Sequence, residues 1–107
     1  MSWLSAFLLT QLIEVPIYTR CLAHSTHRWL IAFGASAMTH PVVFFCFPAL
    51  WPDAYVKMVL LAEAFAVLVE GAWLSFFGVR NSLSWALLAN ALSVAIGLAC
   101  RSAIGWP

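Results

Sequence analysis

Long apolar runs broken by short polar clusters organise the chain. The runs at 3–18, 29–50, 57–77 and 83–104 each predict one helix, and the polar clusters between them predict turns. A run of about 20 mostly apolar residues matches the hydrocarbon thickness of a bilayer at roughly 1.5 Å per residue. The pattern therefore predicts an all-α polytopic membrane protein. It would be a bundle of four transmembrane helices with short loops, forming a single domain over 1–107.

The polar exceptions inside the runs fall at helical spacing. In the third run Glu63 and Glu70 are seven residues apart, which returns them to one face about 10 Å apart along the axis. Span 1 carries Thr10, Gln11, Glu14 and Tyr18 on one face. Span 2 carries Ala32, Ser36 and His40 at four-residue intervals, a small-to-polar stripe that lets helices approach closely and turns His40 inward. Ala62 and Ala66 put small residues beside the span 3 carboxyls, and Ala86, Asn90, Ser93 and Gly97 line one face of span 4. Ala89, Ser93 and Gly97 form a small-residue ridge on that helix.

Prolines and aromatic residues refine the boundaries. Pro16 removes one amide hydrogen bond late in span 1, Pro41 is expected to kink span 2 and free the carbonyl of Ala37, and Pro48 and Pro52 are expected to end it. Trp and Tyr concentrate at membrane–water boundaries, and the pairs Trp3/Tyr18, Trp29/Trp51, Tyr55/Trp73 and Trp85/Trp106 are read as brackets of the four spans.

Composition strengthens the membrane reading. The chain is 64% hydrophobic and only 8% charged, far from the roughly 25% charge of soluble domains. A net charge of +1 offers no basic surface for nucleic acid. Cys21, Cys46 and Cys100 are widely spaced, without CxxC or zinc-like spacing, and are read as small apolar side chains. The first run lacks a basic leader and meets Glu14 where a signal peptide needs a small-residue cleavage site, so it is expected to remain as a span. His24 and His27, with Arg20 and Arg28, are expected at the headgroup surface. Arg20, Arg28 and Arg80 lie on one side of the membrane against Lys57 and Arg101 on the other, which favours both termini outside the cytoplasm, while so small a bias also admits insertion in both orientations.

Three of the four acidic residues sit inside predicted spans. From the side of the first and third turns, Glu14 is about 7 Å deep, Glu70 and Asn90 about 10 to 12 Å, His40 about 16 Å and Glu63 about 20 Å. These five residues form the candidate binding site. Asn90, Ser93 and Thr10 suit interhelical hydrogen bonds. The carboxyls, at about 3 kcal/mol each on insertion scales, point to function, because amides and hydroxyls join helices at lower cost. At least one of Glu63 and Glu70 is expected to hold its proton at neutral pH, with His40 as proton partner. A metal held by Glu14, His40, Glu63 and Glu70 has suitable donor types, but the ExxH spacing of di-iron bundles is absent and the glutamates are far apart. Nor does the sequence contain HExxH, GxSxG or CxxC, which lowers an enzymatic reading.

In size, span count, weak charge bias and the first-span carboxylate Glu14, the chain resembles the small multidrug-resistance antiporters. That resemblance implies a glutamate exchanging protons for cationic drugs in an antiparallel dimer. It covers one residue and the layout; Glu63, Glu70 and the His40–Pro41 step depart from the pattern. The expectation is a small, oligomeric, proton-coupled transporter or conductor of a small cation in the bacterial inner membrane. An accessory subunit of a larger membrane complex ranks next, then an intramembrane enzyme or a lipid- or quinone-binding protein.

Overall fold

The computed structural model describes residues 3–105, and all its elements are helices. They are α1 (Trp3–Cys21), α2 (Arg28–Pro41), a π-helical turn (Val42–Cys46), α3 (Phe47–Leu50), α4 (Tyr55–Phe76) and α5 (Ser82–Ile104). Together α2, the π turn and α3 make one continuous rod, Arg28–Leu50. That rod, α4 and α5 are the three helices long and apolar enough to cross a membrane. The second half of α1 is more polar, with Gln11, Glu14, Thr19 and Arg20 within little more than two turns.

The rods pack in a ring. α1 lies against α2 and α5, and α4 lies against α2 and α5. Short connections force neighbours in sequence to run antiparallel. Small residues make the contact faces: Ala32 and Ala35 on α2, Ala62 and Ala66 on α4, and Ala86 and Ala89 on α5 are all buried. Leucine faces outward along every rod, as at Leu12, Leu30, Leu60, Leu68 and Leu87.

The apolar core is concentrated at the end of the bundle that carries the first and third turns. It consists of Tyr18, Leu22, Ile31, Ala32, Ala35, Leu74, Val79 and Ala89. There α4 ends in a Schellman motif: Val79 N–H donates to Leu74 O at 3.1 Å and Gly78 N–H donates to Ser75 O at 3.0 Å. Gly78 takes the left-handed conformation this motif needs, φ +89°, and Leu74 and Val79 supply its buried hydrophobic contact. His24 Nε2 sits 3.1 Å from Phe77 O, tying the first turn to the third.

Three expectations about single residues need correction. Pro48 does not itself end the second rod, which runs on through α3 to Leu50, the end expected for that run. Tyr18, read as a bracket of the first span, is fully buried three residues from the end of α1, and its hydroxyl points into the bundle. Gly97 is not a packing contact, since a Cβ there would meet nothing within 4 Å. Trp106 lies outside the described residues.

Candidate functional site

Glu14 and Glu70 are 2% and 1% exposed, and each is held by side chains from other helices. Glu14 Oε1 accepts from Ser36 Oγ on α2 and Oε2 from Ser93 Oγ on α5, both at 2.7 Å. Glu70 Oε1 accepts from Tyr18 Oη on α1 at 2.5 Å and from Asn90 Nδ2 on α5 at 3.1 Å. Its Oε2 accepts from Thr39 Oγ1 on α2 at 2.5 Å. The two carboxyls are also electrostatic neighbours. Every long rod thus contributes to one network: Tyr18–Glu70 ties α1 to α4 across the ring, and Glu14 ties α1 to its neighbours α2 and α5 through Ser36 and Ser93.

Local geometry explains why these residues meet. Helical side chains lean toward the N-terminus, so Tyr18 reaches back along α1 from near its end to the level of Glu70. Ser36 and Thr39 are one turn apart on the face of α2 that also buries Ala32 and Ala35. Asn90 is anchored by a second bond from Nδ2 to Ala86 O at 2.8 Å, which fixes its amide toward Glu70.

Beside the carboxyls lies a chamber of about 110 Å³ lined by Thr10, Glu14, Thr39, His40, Glu63, Glu70, Asn90 and Ser93 among others. It adjoins a larger cavity of about 440 Å³ that reaches Tyr55 and Arg101, toward the start of α4 and the end of α5. Glu63, His40, Thr10 and Ser93 line both and stand at the junction. The apolar core closes the opposite end.

All five candidate residues therefore face the interior, but they do not form one hydrogen-bonded set. Glu14, Glu70 and Asn90 belong to the network. Glu63 faces the chamber and is an electrostatic neighbour of Glu70 without a hydrogen-bond partner among the described residues. The ring of His40 packs among Trp3, Phe7 and Phe44, with centroids 6.2, 5.5 and 6.2 Å away, and its buried Nδ1 has no partner among the described residues. Glu14 and Glu70, from different helices, form the close pair; the sequence spacing singled out Glu63 and Glu70. Thr39 was not legible as a carboxyl ligand, although its spacing from Ser36 was the available signal.

Among the described residues no three His, Cys, Asp or Glu side chains converge to hold a metal ion. All three cysteines are free. No protein-family model, curated protein or solved structure matches the chain. What stands is an all-helical chain with three helices long and apolar enough to cross a membrane, and with a buried two-carboxyl network beside two adjoining cavities.

Proposed function

We propose that the chain is a four-span integral membrane protein, in the bacterial inner membrane, that couples proton binding at Glu14 and Glu70 to movement of a small cation. One observation carries this reading: two carboxyls from different helices meet in a buried network whose described partners are hydroxyls and an amide, with no Lys or Arg. An ionised carboxylate is a pure acceptor, and these five donors serve it well. Two like charges side by side in a dry interior repel strongly, and one proton between them removes that repulsion. Hydroxyls suit such a switch because each can rotate to donate or accept as the proton comes and goes.

The polar chamber has room for several waters, which would bridge Glu63 and the orphan Nδ1 of His40 to the carboxyl pair. Protons would arrive from the cavity end, past Glu63. A sealed core at the other end favours alternating exposure over an open channel. With a smallest extent of 19 Å, one bundle leaves little wall around a pathway, so a second copy would complete it.

The test is proton flux into liposomes carrying the purified protein, read with a trapped pH dye. Glu70→Gln and Glu14→Gln should each abolish flux while Asp53→Asn leaves it intact. Undiminished flux in both glutamine variants would remove the carboxyl pair from the mechanism.

A further inference from the structure

We infer that the 110 Å³ chamber is a binding site for one alkali-metal cation of the size of sodium, held by the Glu63 carboxylate and by neutral oxygens of Thr10, Thr39, Asn90 and Ser93. The inference rests on the reading of the carboxyl site above and names the small cation that site would move.

The direction of each hydrogen bond in the network decides what the chamber is offered. Thr39 gives its hydroxyl proton to Glu70, and Ser93 gives its own to Glu14. A hydroxyl whose proton is committed still carries acceptor lone pairs. Asn90 is only 4% exposed and commits Nδ2 to Glu70 and to Ala86 O. That leaves its Oδ1 with no partner among the described residues, on a side chain that lines the chamber. Thr10 Oγ1 and the Glu63 carboxyl also line the chamber without a hydrogen-bond partner among the described residues. The committed protons thus turn toward Glu14 and Glu70, and acceptor oxygens from all four long rods remain for the chamber. Oxygen ligands of this kind suit a hard cation.

Charge sets the valence. Both oxygens of Glu14 and both of Glu70 already accept hydrogen bonds, so Glu63 is the one interior glutamate whose carboxyl has no protein donor. One negative charge among neutral oxygens balances a monovalent ion, whereas a calcium site is ordinarily built with more carboxylates. Transition metals favour imidazole or thiolate ligands. Here His40 Nδ1 is buried beside aromatic rings, and among the described residues no three His, Cys, Asp or Glu side chains converge.

Size points the same way. At about 110 Å³ the chamber falls below the roughly 300–1,000 Å³ of sites for organic ligands, yet it has room for a metal ion with a few waters. The larger cavity provides the approach from the start of α4 and the end of α5. Arg101 stands there, where it donates to Tyr55 Oη at 3.4 Å, and eight residues of α5, about 12 Å, separate it from Ser93. A charge at such a rim acts on the rate of entry more than on affinity.

The experiment measures equilibrium binding of radioactive sodium to the full chain in nanodiscs, at fixed pH with N-methylglucamine as the background cation and empty nanodiscs as the blank. Sodium should bind saturably, one ion per chain, and magnesium or calcium should displace it only at higher concentration than unlabelled sodium. Glu63→Gln should weaken binding at least about tenfold, because affinity follows the charge of the ligand set. Thr10→Val should weaken it about threefold or more and Thr10→Ser less than about twofold, the scale of one neutral polar contact. Asp53→Asn should leave it unchanged. Infrared difference spectra of protein with ¹³C-labelled glutamate need no variant: a glutamate carboxylate band should shift when sodium replaces N-methylglucamine. Absence of saturable sodium binding, tighter binding of calcium or magnesium, an unmoved glutamate band, or undiminished binding by Glu63→Gln would overturn the assignment. No gradient enters the measurement, so a chain that binds sodium but moves no protons keeps this inference and loses the coupling. Proton flux that depends on Glu14 and Glu70, without sodium binding, would keep the carboxyl pair and remove the sodium site.

Discussion

At the residue scale, Tyr18 shows what the interior carboxyls demand of their neighbours. Its ring packs with the core and its hydroxyl donates to Glu70, so Tyr18→Phe keeps the shape and removes one donor. Glu70 then retains Thr39 and Asn90. The loss should cost about 1–3 kcal/mol, the range for depriving a buried polar group of a partner, and thermal unfolding in detergent should show a lower midpoint. Ser84→Ala, at an exposed site near the third turn, should leave the midpoint unchanged. The same residue marks a limit of sequence reading. Tyrosine is amphipathic and most often lies at a membrane boundary; only the position of Glu70 on another helix draws this one inward. Spacing along one helix states which residues share a face, so Glu63 and Glu70 were legible as a pair. It is silent on which residue of a different helix stands opposite, and the Glu14–Glu70 approach depends on that.

At the scale of the elements, the helices were legible because apolar runs and polar turns alternate at bilayer length, and their ends depended on finer chemistry. Proline reads as a stop signal, yet Pro48 falls where the π turn hands over to α3 and the rod runs on to Leu50. Helix contacts test the packing directly. A Cβ on Gly34 would come within 3.0 Å of the Trp73 ring, and that ring is pinned because its Nε1 donates to Ile31 O at 2.9 Å. Gly34→Val should therefore separate α2 from α4 and cost about 1–3 kcal/mol, as overpacking does. Gly78→Ala should cost about 1–2 kcal/mol for a different reason, the left-handed conformation at the end of α4. Denaturant titrations should show both, and only Gly34→Val should also shift the fluorescence of the Trp73 environment.

At the scale of the molecule, the bundle is sealed at one end and hollow at the other, and that asymmetry makes access to the carboxyls one-sided. Gly97 stands on the cavity wall with empty space where a side chain would go. Gly97→Leu should fill part of the 440 Å³ cavity without displacing a neighbour, and replacing a mid-helix glycine should favour α5 by up to about 1 kcal/mol. The two measurements then move in opposite directions: the unfolding midpoint holds or rises while proton flux falls. If Gly97→Leu left flux untouched, protons would reach Glu14 and Glu70 by a route other than this cavity, and the one-sided path would fail even with the carboxyl network intact.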